Sequence, residues 1–231
     1  LFAVAIRDLA EERKMTNYQP TYHTIVEVDV AGSGRFDDRA QLRMRAVLRA
    51  VIAEALALQS LSDAAVSRTD LGDGLRLIFP PTVSPRGLLD PFIPDLASSL
   101  RRWHETGAGA DRLRLRVAVH AGLLHRDSDG WTGAPLIHCA RLIDAEPVRR
   151  VLNAGSSVSL VLVVSQAIYD SIVRHGYGLD RSSYRPVKIR CKESNMTAWV
   201  YVPEQESTYL AGATPSHDHV GLGAYSTPRV T

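Results

Sequence analysis

Polar and apolar positions change register several times along the chain, and each change predicts an element. From Tyr22 to Ala31 the run YHTIVEVDVA is rich in β-branched residues and breaks at Gly32-Ser33-Gly34, the pattern of a buried strand entering a tight turn. Asp37 then stands as a helix N-cap, and the apolar positions Leu42, Val47, Val51 and Leu58 predict an amphipathic helix to about Leu58. Two short strand signals, Ala65–Thr69 and Leu75–Phe79, flank Asp70-Leu71-Gly72-Asp73-Gly74, where Asp-Gly between apolar runs predicts a hairpin. Pro80, Pro81 and Pro85 interrupt the chain before a helix from about Asp90 to His104, which runs out at Gly107-Ala108-Gly109. Leu113 to Leu124 reads as a strand with Arg114 and Arg116 on one face and Leu115 and Val117 on the other, followed by a polar turn from Arg126 to Gly130. One helix is expected from about Ala134 to Val151, turning Leu136, Ala140 and Leu142 inward and stopping at Gly155. A strand over Val158–Val164, a Ser165-capped helix to His175, and a hairpin of Val187–Cys191 with Thr197–Val202 complete the pattern.

The order β-α-β-β-α-β, with further elements after it, is that of an α+β fold, a ferredoxin-like α/β sandwich. Residues 1–19 form an N-terminal extension, 20–203 one domain, and 204–231 a tail of Gly, Ser, Thr, Pro and His expected to be flexible. The charged stretch from Arg7 to Lys14 reads as a frayed helix or as sequence upstream of a start at Met15. With 231 residues and 45% apolar composition the chain can bury a full core. Its 27 basic and 25 acidic residues leave a formal charge of +2, which gives no footprint for a nucleic-acid or membrane-surface protein. No apolar run approaches the ~20 residues of a membrane span. Cys139 and Cys191 lack metal-ligand spacing and fit small buried roles in a reducing, cytoplasmic compartment.

The chemistry centres on two carboxylates. Asp29 ends an apolar strand at a Gly-x-Gly turn, and Asp73 lies in the hairpin beside which that strand is expected to run. Paired carboxylate oxygens suit Mg²⁺, which completes its shell with water and phosphates. For Asp73 alone a turn role is the simpler account; Asp29, flanked by apolar residues, would carry an expensive unpaired charge unless it had a ligand. Gly32 and Gly34 permit backbone N–H groups to approach a phosphate, although an ordinary turn accounts for them equally well.

The stretch Val28-Asp29-Val30-Ala31-Gly32-Ser33-Gly34 resembles the first metal motif of class III nucleotidyl cyclase catalytic domains, and Leu71-Gly72-Asp73-Gly74 resembles the second. Leu115 to Gly122 is similar to the strand that follows, and Gly133-Ala134-Pro135 through Ala140-Arg141-Leu142 to the helix of transition-state residues. Val163 to Tyr169 and Lys192 to Tyr201 match later landmarks in order and spacing, so the resemblance spans roughly residues 20–203. It implies that Asp29, Asp73 and the Val30 carbonyl hold two Mg²⁺ or Mn²⁺ ions. Gly32, Ser33, Gly34, Arg116 and Lys192 would bind the phosphates, and Arg141 would stabilise the transition state. The implied substrate is a nucleoside triphosphate, and the implied assembly is a cytoplasmic homodimer with sites at its interface.

The pattern departs from the family at four places. Ile137 stands where an asparagine is usual, Thr69 where a purine-reading lysine is, and Gly130, or Asp129 with a one-residue slip, where its aspartate partner is. Ser33-Gly34 replaces Phe-Thr. The base is therefore open, a pyrimidine included, and a domain that binds nucleotide or a partner without turnover is the alternative. Simpler roles also exist. Arg141 has Asp144 and Glu146 nearby as partners, Lys188 and Arg190 compete with Lys192, and His120 is best read as a satisfied core histidine. His217-Asp218-His219 reads as solvated, and Trp131, Trp199 and Tyr201 as packing residues.

Overall fold

A computed structural model of the chain describes residues 19–61, 66–106, 112–155, 158–191 and 194–203. Strand β1 (Thr21–Val30) leads through a 3₁₀ turn at Ser33–Arg35 into helix α1 (Asp38–Leu58), whose N-cap Asp37 accepts from the Ala40 N–H at 2.7 Å. Strands β2 (Ser67–Asp70) and β3 (Gly74–Phe79) form the hairpin, and α2 (Ile93–Glu105) leads to β4 (Leu115–Arg126). A short β5 (Trp131–Thr132) folds back on β4; then come α3 (Ala134–Ile143), α4 (Glu146–Asn153), β6 (Leu160–Ser165), α5 (Gln166–Ser171), β7 (Arg185–Cys191) and β8 (Ser194–Tyr201).

The sheet runs β2-β3-β1-β4-β6-β8-β7, and its first four strands are the antiparallel ferredoxin-like core. Strand alternation divides the core into two layers. Val26, Val28 and Val30 of β1 pack with α1 and α2, while Ile25 packs on the opposite face with Leu136, Cys139 and Leu142 of α3 and Val148 and Leu152 of α4. Glu27 and Asp29, in phase with Ile25, therefore lie on the α3 face. Arg114 and Arg116 alternate with Leu115 and Val117 as the sequence pattern predicts.

Three expectations need correction. The helix predicted over 134–151 is two helices broken at Asp144-Ala145, because Pro147 cannot donate to the Ile143 carbonyl and its ring clashes there. The helix predicted from Asp90 begins earlier, with helical turns at Pro85–Gly87 and Leu88–Phe92 interrupted by an extended Asp90. Leu42 and Leu58 are exposed; Met44, Leu48, Val51, Ile52, Ala55 and Leu56 form the inward stripe of α1, in which Leu48, Val51, Ile52, Ala55 and Leu56 follow helical spacing. Residues 1–18, Ala65, the Gly107-Ala108-Gly109 loop, Lys192 and residues 204–231 lie outside the described residues. Among the described residues no helix is long and apolar enough to cross a membrane.

Candidate active site

Asp29 and Asp73 meet at one end of β1. In the ladders Asp29 stands opposite Gly74 on β3 and opposite Arg116 on β4, and the Val30 N–H donates to the Asp73 carbonyl at 3.1 Å. Gly74 is required here, since a Cβ would come within 2.5 Å of the Val28 carbonyl oxygen. Gly32, with φ of +74°, turns the chain so that Ser33 faces back, and the Ser33 hydroxyl donates to Asp73 Oδ2. Ser33, expected as a phosphate-loop residue, thus also orients the second carboxylate.

Asp29 is not an isolated charge. Arg116 donates to its Oδ2 twice, from Nε at 2.9 Å and from Nη2, and Arg116 Nη1 lies 3.7 Å from Asp144 Oδ1. Burial raises the Asp29 carboxyl above the ordinary aspartate value; Arg116 pulls it back, while Asp73 and Asp144 push it further up. The β1–β3 ladder sets Asp29 opposite Gly74, the residue after Asp73, so the two acids lie at the same end of the sheet. One strand position earlier on this face, buried Glu27 accepts from Arg76 of β3 at 3.1 Å, with the Cys139 thiol beside it.

Next to this pair the Gly32 turn, the start of β4 and helix α4 enclose a cavity of about 660 Å³. Arg35, Arg112, Arg114, Arg116 and Arg149 line it, against the single carboxylate of Asp144. Arg114 donates to the Val158 and Gly155 carbonyls, and Arg149 to the Asp144 carbonyl and carboxylate. Among the described residues Arg35 and Arg112 have no ion pair. Apart from Arg116, these cations are not legible as a site in the sequence, because they come from separate segments; the Arg114/Arg116 alternation is the one local signal.

The other proposed residues lie elsewhere. Arg141 is exposed on α3, one turn after Ile137, whose side chain is 57% accessible. The suggested partners are taken: Asp144 pairs with Arg149 and Glu146 with Arg150. No hydrogen bond or ion pair among the described residues joins Arg141 to Asp29 or Asp73. Thr69 is exposed on β2 opposite Arg76, and Asp129 is exposed in the turn before β5. The two regions approach through Trp131, whose Nε1–H donates to Ser67 Oγ at 2.9 Å. His120 is half-buried, bonded through Nδ1 to Ser165 Oγ at 2.9 Å and stacked on His138 at 4.4 Å; burial, then His138, lower its pKa to about 4.

A ferredoxin-like core with helices on both faces and an acid pair at the end of β1 gives the chain the fold of adenylyl and guanylyl cyclase catalytic domains. It is similar to the crystal structure of an adenylate/guanylate cyclase/hydrolase from Silicibacter pomeroyi, with 16% identity, a TM-score of 0.57, and 80% of this chain and 99% of that chain covered. The guanylyl cyclase Cya2 aligns with 12% identity and a TM-score of 0.55 over 82% of this chain and 97% of that one. The adenylyl cyclase CyaB from P. aeruginosa aligns with 11% identity and a TM-score of 0.53 over 82% and 98%. No protein-family model and no curated protein sequence matches the chain. The likeness is one of fold.

Proposed function

We propose that the protein is a nucleotidyl cyclase, forming a 3′,5′-cyclic nucleoside monophosphate and pyrophosphate from a nucleoside triphosphate. The observation that carries this reading is the meeting of Asp29 and Asp73 beside a cavity walled by five arginines. The donors these residues offer are the two carboxylates of Asp29 and Asp73; among the described residues no three His, Cys, Asp or Glu side chains gather as a metal site. That pair fits Mg²⁺ or Mn²⁺, which take few protein oxygens and fill their shells with water and phosphate. Asp29, Asp73 and the Val30 carbonyl would hold two such ions, which when bound supply charge stabilisation at the attacking and leaving oxygens.

The chain's own residues account for the rest. In cyclisation the ribose 3′-oxygen loses its proton and bonds to the α-phosphorus as the bond to the bridging oxygen breaks and pyrophosphate leaves. Gly32 and Gly34 open the turn to phosphate oxygens; Arg116, with Lys192, donates to the triphosphate. Arg141, exposed and without an ion pair among the described residues, reaches the α-phosphate of a second copy, which makes the working unit a homodimer. Thr69 and Asp129 lie on the base-reading side. The setting is intracellular cyclic-nucleotide signalling, in the cytoplasm.

Incubation with each of the four triphosphates and Mg²⁺ or Mn²⁺, followed by mass spectrometry, tests the reading and identifies the base, purine or pyrimidine. Asp29→Ala and Asp73→Ala are each expected to abolish product in a folded chain; metal-dependent product from either would remove the assignment. The exposed aliphatic Ile137, which cannot hydrogen-bond a ribose, favours a second reading, a domain that binds nucleotide or a protein partner without turnover. Retained nucleotide binding with no product under any condition supports it.

A further inference from the structure

We propose that the arginine cavity is a polyphosphate site whose filling uncovers Asp29 for a divalent cation, because one side chain, Arg116, serves both. The inference rests on the phosphate and metal assignments above and adds their coupling through this one side chain. Arg116 spends two of its three nitrogens on Asp29 Oδ2 and so holds a positive charge against the carboxylate that a cation would have to share. Its third nitrogen faces the cavity rim at Asp144, 3.7 Å away. A phosphate chain in the cavity offers Arg116 the paired oxygens that guanidinium binds best. Arg35 and Arg112, with no carboxylate partner among the described residues, supply further charge, while Arg114 and Arg149 are already anchored and form the wall. Drawn to the phosphate, Arg116 releases Asp29. A carboxylate that carried a cation would in turn release Arg116, so each ligand strengthens the other by the same factor.

The anion half is tested by titrating inorganic tripolyphosphate calorimetrically into the protein in chelator-containing, metal-free buffer. The Arg35→Ala/Arg112→Ala double variant is expected to bind about tenfold more weakly or worse, and Asp29→Asn, which frees Arg116, about tenfold more tightly. Asp73→Asn removes the charge of the neighbouring carboxylate without touching the two Arg116–Asp29 bonds or a cavity arginine, and is expected to tighten binding much less. The cation half is tested by titrating Mn²⁺ without phosphate, following the free-ion signal by electron paramagnetic resonance. Arg116→Met is expected to bind Mn²⁺ about tenfold more tightly than the parent, and Arg114→Met, an equal loss of charge in the same cavity, to leave affinity near the parent value. Should Arg116→Met melt below the assay temperature, Arg116→Lys, which keeps the charge but loses the double contact, is titrated in its place, again with tighter Mn²⁺ binding expected.

Unchanged tripolyphosphate affinity in the Arg35/Arg112 double variant overturns the site. Asp29→Asn no tighter than Asp73→Asn, or the Arg116 variant no tighter than Arg114→Met, overturns the coupling. None of these measurements depends on turnover. A protein that shows the shifts but forms no cyclic product keeps this inference and loses the cyclase reading; one that cyclises without the shifts does the reverse.

Discussion

The buried pair of Glu27 and Arg76, two residues along β1 from Asp29 and on the same face, lends itself to a quantitative test through Arg76→Met. Glu27 is 4% accessible and Arg76 accepts the role of its only ion-pair partner among the described residues. Removing one member of a buried pair costs about 3–5 kcal/mol, since the remaining charge stays desolvated. Arg76 keeps 19% of its side-chain surface, so some water reaches the orphaned carboxylate and the lower end, about 3 kcal/mol, is expected. For a domain of this size each kcal/mol shifts Tm by about 2–4 °C, giving a fall of about 6–12 °C by circular dichroism at pH 7. The pH dependence has a definite sign. Burial raises the folded-state pKa of Glu27, against the smaller downward pull of Arg76, so the charged form costs stability above the folded pKa. Below the unfolded-state pKa the carboxyl is neutral in both states and that cost vanishes. Without Arg76 the folded pKa climbs further, so the gap between variant and parent is expected to narrow as pH falls from 7 to 4. The apolar double variant Glu27→Leu/Arg76→Met is expected to regain most of the loss. A single-variant loss under about 1 kcal/mol, or a double variant as unstable as the single, would refute the argument.

Other expectations bear on assembly, rate and backbone. If sites are shared between subunits, equal mixing of Asp73→Ala and Arg141→Ala chains makes half the dimers mixed, each with one intact site, so about a quarter of parental activity returns; no recovery with subunit exchange confirmed argues that each chain works alone. Because Ile137 is exposed, Ile137→Asn should change stability by no more than about 0.5 kcal/mol. Its amide would orient the ribose and raise kcat by about one to two orders of magnitude at similar KM; steady-state kinetics showing a well-folded variant with unchanged kcat would mean another residue does this. Gly74→Ala forces a Cβ to within 2.5 Å of the Val28 carbonyl and should cost about 1–3 kcal/mol in urea melts; a neutral result would mean that the β1–β3 approach beside Asp73 relaxes freely.

Features written in short windows are legible in the chain alone. The strand ending at Val30, the N-caps Asp37 and Ser165, the Asp-Gly hairpin and the arginine alternation of β4 each depend on neighbours a few residues apart, and each stands where its local pattern put it. The break at Asp144-Ala145 was also local, carried by Pro147, but the apolar spacing on both sides ran across it. Whatever is held by residues remote in sequence depends on the fold. Asp29 and Arg116 are 87 positions apart and meet only because β1 pairs with β4 in this register. The same pairing turns an aspartate that looked unpaired into half of an ion pair. Arg35, Arg112 and Arg149 gather at one cavity because the turn after β1, the approach to β4 and helix α4 converge at the same end of the sheet. Charge carries no periodic signature of that convergence: an arginine suits a solvated surface as well as a phosphate pocket, and only the fold settles which neighbours it has.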